Sequence, residues 1–354
     1  MIDPHVHLRD DKQKTKETLF HGMLIGMGLG IEGFFDMPNT DPPLTNAARL
    51  RERIVEGRNA ARKVGEFTGN VPFYGVYGGL TADAWQIIAM VRLYQQEFPA
   101  MVGLKLFAGH STGNMGVVDE ASQQLVYHTL AQQQYKGVLA VHCEKEALLQ
   151  NALWDPLRPQ THSDARPAIA EISSVADQIA FAREAGFQGT LHICHISTAG
   201  SLALVCAARA QGMRITCGAT AHHALFNREA PGQDGNRLKM NPPLRDEADR
   251  QAVFNGLLAG TVDWIESDHA PHTLQDKAAG ASGIPGFVGT ALLIGRLRQA
   301  GASEPLLRRV AGGRVCEVFG LHGMATDVPN ASRMELSLEK ARAAYPWDPF
   351  TSLS

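Results

Sequence analysis

Val138-Leu-Ala-Val-His-Cys143, the amphipathic stretch 172–185 and Thr190-Leu-His-Ile-Cys-His-Ile196 follow one another as strand, helix and strand. The outer segments are short apolar runs of strand character, and the stretch between them has the apolar spacing of a helix with one buried face. A β-α-β unit of this kind lays its two strands parallel. The alternation extends in both directions. Strand-type runs at 5–8, 33–37, 71–77, 102–107, 214–219 and 262–267 join these two, with helical patterns at 46–64, 82–97, 120–135, 199–211 and 246–259. Eight such units predict an α/β protein, a (β/α)8 barrel over residues 1–320. A doubly wound open sheet is the alternative that pattern alone leaves. Residues 321–354 form a polar, Pro-punctuated extension, whose helical stretch at 335–344 has no strand to return to.

Composition agrees with a globular chain. Of 354 residues, 44% are apolar and 19% charged, enough to bury a sizeable core and to exclude disorder as the main state. The formal charge of −3 argues against nucleic acid or a membrane surface as partner. No apolar run approaches the roughly 18 residues needed to span a bilayer, and Met-Ile-Asp-Pro-His-Val-His-Leu-Arg-Asp10 is too polar for a signal-peptide core, so a cytoplasmic location is expected. Cys143, Cys194, Cys206, Cys217 and Cys316 lack CxxC spacing and read as small buried hydrophobes rather than disulfides or thiolate zinc ligands. The histidines are more informative, because several stand at the ends of apolar runs.

His5 and His7 are two apart on a short strand, so both project from one face and can reach a single metal ion. His142 closes the strand 138–143, His195 stands near the end of 190–196, and Asp268 directly follows 262–267. In a parallel barrel these positions share the C-terminal mouth. Lys105, inside Gly103-Leu-Lys-Leu-Phe107, would be costly to bury as an ammonium. It either snorkels to the rim or pairs with an acid, or its neutral amine reacts with carbon dioxide to give a carbamate able to bridge two cations; position alone favours the former.

Six motifs together resemble the dihydroorotase family of the amidohydrolase superfamily: Asp3-Pro-His-Val-His-Leu-Arg9, Asp36-Met-Pro-Asn-Thr40, Gly103-Leu-Lys-Leu-Phe107, Val141-His-Cys-Glu144, His192-Ile-Cys-His-Ile196 and Ser267-Asp-His-Ala-Pro-His272. The resemblance spans nearly the whole chain. It implies a barrel with two Zn²⁺ ions, one held by His5, His7, carboxylated Lys105 and Asp268, the other by Lys105, His142 and His195, with a hydroxide between them. Asp268 would carry a proton from that hydroxide to the leaving ring nitrogen. Arg9, Asn39 and His272 match positions that grip the substrate carboxylate and ring. Asn241 belongs to a loop approaching the ring, Ser111 and Thr112 to a loop that closes over it, and Gly283-Ile-Pro-Gly286 to a segment whose backbone meets it. His192 is expected to be structural, His222 and His223 resemble a segment lining the pocket, with surface or supporting roles at least as open as contact, and Arg166, His162 and His110 are expected in solvent or at the rim.

The implied reaction is the reversible hydrolysis of L-dihydroorotate to N-carbamoyl-L-aspartate in pyrimidine synthesis, with a small-molecule substrate and a possible homodimer. Another cyclic amidohydrolase, a hydantoinase or allantoinase, and a non-catalytic barrel scaffold are the alternatives. Relatives usually add a small β-sandwich, of which little or nothing is expected here. The chain would then be a barrel-only form or one truncated at both ends, with exposed apolar surface as the physical symptom.

Overall fold

A computed structural model of the chain describes residues 1–111, 114–231, 235–324 and 327–353. Eight parallel strands, β1 (Ile2–Val6), β2 (Gly33–Asp36), β3 (Phe73–Gly79), β4 (Met101–Ala108), β5 (Val138–Cys143), β6 (Thr190–Ile193), β7 (Ile215–Ala219) and β8 (Trp264–Ile265), pair in the order of the sequence. A doubly wound sheet would reverse direction at a switch point, and this order does not. Just beyond β8 the sheet returns to its start, where His269 bridges Val6 and the His7 amide donates to the His269 carbonyl at 2.8 Å. The result is a nearly closed barrel. Nearly every strand residue is buried, which is why the strands read as continuous apolar runs rather than alternating ones.

Helices α1 (Leu19–Gly28), α2 (Ala47–Thr68), α3 (Ala84–Glu97), α4 (Glu120–Gln132), α5 (Ala168–Glu184), α6 (Ala199–Ala210), α7 (Glu247–Leu258) and α8 (Phe287–Gln299) fill the crossovers. Several start where a polar side chain satisfies a free amide: Asn46 accepts from Arg49, Asp119 from Ser122 and Thr198 from Ser201. The sequence pattern did not predict α1 or α8. Both are apolar on nearly every side, which erases the 3.6-residue signal, and glycines let α1 press on the barrel. A Cβ on Gly22 would stand 2.6 Å from Leu8 Cδ2, and one on Gly26 would stand 2.5 Å from the Phe34 ring.

Boundaries shift for local reasons. β1 begins at Ile2 and ends at Val6, so His7 and Leu8 lie beyond it. β3 begins at Phe73, after Pro72 and an exposed Val71. β8 is only two residues long, and the chain past it turns at Asp268, whose φ is 46°.

The extension that had no evident place packs on the barrel. Helix α9 (Ala331–Ala343) lies against α1 and α8. After it, Tyr345 Oη donates to Glu17 at 2.7 Å, Trp347 Nε1 donates to the His272 carbonyl at 3.1 Å, and Phe350 stacks on Phe226 with ring centres 5.6 Å apart. Among the described residues no helix is long and apolar enough to cross a membrane.

Candidate active site

The C-terminal ends of the strands bring the predicted ligand-type residues together. His5 Nε2 lies 3.3 Å and His7 Nε2 3.0 Å from the same oxygen, Oδ1 of Asp268. His142 Nδ1 is 3.1 Å from His195 Nε2, and the His5 and His195 ring centres are 5.2 Å apart. His195 and Asp268 both adopt left-handed backbone, with φ of 36° and 46°. For non-glycine residues such conformations are costly and cluster at functional sites, and here they occur where the chain leaves β6 and β8.

Partners behind the imidazoles fix their orientation. Asn39 Oδ1 is 2.8 Å from His7 Nδ1, which leaves Nε2 to face Asp268. Glu144 Oε2 is 3.0 Å from His142 Nε2, and Glu144 is itself held by Arg166 Nε at 3.0 Å and Nη2 at 2.5 Å. Burial alone would raise the Glu144 pKa, but Arg166 and His142 hold it well below the carboxylate range.

Lys105 is fully buried on β4, with Nζ 3.0 Å from Cys194 Sγ and 5.0 Å from the centre of the Phe107 ring. It neither snorkels nor reaches an acid in this arrangement. Cys194, read from the sequence as a small hydrophobe, is instead a polar member of the cluster. Burial pushes its pKa up, yet Lys105 and His5 bring it down to about 5.

The donor set fits a divalent cation. Among the described residues two groups have ligand atoms within 4.8 Å of one another: His5, His7 and Asp268, and His5, Cys194 and Glu266. The first is the better candidate, because Glu266 already accepts from Trp264 Nε1 at 3.0 Å, contacts His192 Nε2 at 3.0 Å and accepts from the His195 amide. Burial lowers the pKa of His195 strongly and that of His7 to about 4, so both offer a neutral lone pair. For Asp268 burial acts upward, but His7 and His5 hold it ionised. His5 differs. Burial and Lys105 lower its pKa, but Cys194 and Glu266 raise it to about 10, so a cation would bind there by displacing a proton. His195 Nδ1 is buried with no hydrogen-bond partner among the described residues, the situation a metal relieves.

Beside this cluster lies a narrow cleft, whose wall includes Arg9, Asn39, Ser111, Asn241, Ser282 and Gly283. Arg9 is buried, with Nη2 3.3 Å from His272 Nε2. Its turn is unusual, since Arg9, Asp10 and Asp11 have φ of 53°, 69° and 50°. Asp36 anchors that turn by accepting from the Leu8 amide at 3.0 Å while Arg53 and Tyr74 bind its other oxygen at 2.7 and 2.8 Å. Burial lowers the Arg9 pKa to about 10, so it remains a cation near neutrality. Asn241 Oδ1 is 2.9 Å from His162 Nε2. Thr112, expected to touch substrate, lies outside the described residues.

Some expectations need correction. Arg166 and His162 are not at the rim but 6% and 7% exposed, because one pairs with Glu144 and the other reaches the Met240 carbonyl at 3.0 Å. His110 is exposed. His222 and His223 are buried, and His223 Nε2 donates to the Pro242 carbonyl at 3.0 Å, beside the Asn241 loop. His192 is buried on β6 between Thr216 and Glu266. Glu144, Glu266 and Cys194 were not singled out from the sequence. Their one signal is adjacency: each lies within two residues of His142, Asp268 or His195.

The fold and the cluster at its mouth define a barrel of the amidohydrolase type. Solved structures share that fold: an L-hydantoinase (dihydropyrimidinase) from Arthrobacter aurescens, with TM-score 0.79 and 19% identity over 93% of this chain and 72% of that one, and a dihydroorotase from Campylobacter jejuni, with TM-score 0.68 and 17% identity over 92% and 84%. No family model matches. The dihydroorotase of Halobacterium salinarum is 33% identical over 327 residues, 91% of this chain and 71% of that protein, and the dihydroorotase of Halalkalibacterium halodurans is 31% identical over 293 residues, 82% and 64%. The chain therefore spans 64% of the length of several curated relatives it matches. It belongs to the dihydroorotase family.

Proposed function

We propose that the chain hydrolyses L-dihydroorotate reversibly to N-carbamoyl-L-aspartate. The observation that carries this reading is the placement of a buried guanidinium, Arg9 backed by His272, on the wall of the same cleft that His5, His7, His142, His195 and Asp268 line, with His272 standing behind that wall in contact with Arg9. Two zinc ions would be held by His5, His7, Lys105 and Asp268, and by Lys105, His142 and His195. When bound, the metal pair supplies Lewis acidity toward the amide carbonyl and acidifies water toward neutral pH. Full burial of Lys105 among the histidines, with Cys194 Sγ and, among the described residues, no carboxylate as its polar neighbour, supports carboxylation of its amine by carbon dioxide once cations are present, giving an anion that balances their charge.

The chain's own groups do the rest. Arg9 presents a planar fork to the substrate carboxylate, with Asn39, His272 and Asn241 around the ring. Asp268, kept ionised by His7 and His5, accepts the proton of the attacking water as the new C–O bond forms. It then delivers that proton to the ring nitrogen as the C–N bond breaks. Closure of N-carbamoyl-L-aspartate runs through the same groups in reverse, with loss of water.

Assays of the zinc-loaded protein side by side on dihydroorotate, hydantoin and allantoin test the reading. Dihydroorotate is expected to give the highest kcat/KM. Faster turnover of either other ring would assign the site to a different cyclic amide.

A further inference from the structure

Asn241, Ser282 and Gly283 line the cleft from two loops, and a buried lysine helps to join them. Lys277 lies in the short helix Leu274–Ala278 after β8 and is 2% exposed. Its Nζ donates to three main-chain carbonyls: Lys239 at 2.8 Å, Ala281 at 2.8 Å and Gly283 at 2.9 Å. The indole of Trp347 covers the group, 5.6 Å from Nζ to the ring centre. Burial and the nearby Lys239 lower the pKa of this amine. Three acceptors and no donor around the nitrogen favour the protonated form all the same, because a neutral amine can donate to only two.

The carbonyls are not arbitrary ones. Gly283 lines the cleft, and its amide donates to the Lys239 carbonyl at 3.0 Å, so Lys277 and Gly283 grip the same oxygen. Gly283 also has φ of 130°, and a Cβ there would stand 2.6 Å from the Ala270 carbonyl and 3.0 Å from the His272 ring. Lys239 Nζ in turn donates to Ser282 Oγ at 2.7 Å, and Ser282 Oγ donates to Asn241 Oδ1 at 3.3 Å. Ser282 and Asn241 both line the cleft. The loop after β7 and the loop after β8 thus meet through the Lys277 ammonium, the Gly283 amide and the run Lys239–Ser282–Asn241, and the ammonium is the member that binds carbonyls of both loops.

We infer that Lys277 is a positioning residue for substrate binding, holding the loops of Asn241 and Gly283 together where both line the cleft, without touching the substrate or the groups that move the proton. The inference rests on the dihydroorotate reading for its choice of substrate.

Its test compares the zinc-loaded full chain with Lys277→Met, which keeps the stem and removes the three donors, and with Lys277→Arg, which keeps a cation. Lys277→Met is expected to raise KM about tenfold or more while kcat stays within about threefold, with Lys277→Arg recovering part of the loss. Zinc content stays at the parent value. Amide hydrogen exchange of peptides covering 238–242 and 279–286 accelerates in Lys277→Met, and peptides of β1, β5 and β6 do not change. An unchanged KM, a fall in kcat with loss of zinc, or uniform acceleration of exchange would each overturn the role. If Lys277→Met does not accumulate folded protein, Lys277→Arg decides by the same KM and exchange readouts. Parent protein inactive on dihydroorotate would count against the function, whereas the exchange comparison still decides the role of Lys277.

Discussion

At the scale of single residues, Arg9 is the sharpest point of the account. Its guanidinium is buried beside His272 on the wall of the cleft, held in a left-handed turn that Asp36 anchors from β2. Replacing Arg9 with Met keeps much of the volume and removes the charge. Loss of a hydrogen bond to a charged group costs about 1.5–3 kcal/mol, so KM for dihydroorotate should rise roughly 10- to 100-fold at unchanged zinc content. A mutant with the parent's KM would remove Arg9 from the binding site. That His5, His7, His142, His195 and Asp268 gather at one mouth was legible from the sequence because they stand at strand ends and recur in motifs. Those that support them were not. Glu144, Arg166 and Cys194 act through neighbours distant in sequence, such as Arg166 with Glu144 and Lys105 with Cys194, and no local pattern announces a tertiary partner. Arg166 and His162 looked like rim residues because polar side chains in a long loop usually are.

At the scale of elements, the strands were readable since each is buried on both faces and flanked by turns, while helices α1 and α8 were not. An amphipathic stripe marks a helix with one wet face. α8 buries Phe287, Val288, Ala291, Leu293, Ile294 and Leu297 between the barrel and the tail, which leaves little stripe to see. The tail was unreadable for a related reason, since its anchors are single aromatic residues that pair with distant elements. Phe350 is fully buried, lies over Gly289 of α8 and stacks on Phe226. Phe350→Ala should therefore lower the free energy of unfolding by about 3–5 kcal/mol, the range for deleting a buried phenyl ring, as read in a denaturant titration. A loss below about 1 kcal/mol would mean the tail is not part of the stable core.

At the scale of the whole molecule, the sequential order of eight parallel strands explains how a site can be assembled from positions as far apart as His5 and Asp268. Each β-α unit returns the chain to the same end of the sheet, and the bridge from Val6 to His269 brings the first strand beside the last. The number of strands and their alternation with helices gave the barrel from the sequence; closure itself depends on contacts that pattern does not report. Crystals of the zinc-loaded chain, with anomalous scattering recorded at the zinc edge, test most directly whether this mouth gathers a pair of cations as proposed. Two peaks about 3.5–4 Å apart are expected, one beside His5, His7 and Asp268 and one beside His142 and His195, with density for a modified Lys105. A map with no zinc peak at the barrel mouth, or with the zinc bound elsewhere, would contradict the proposal.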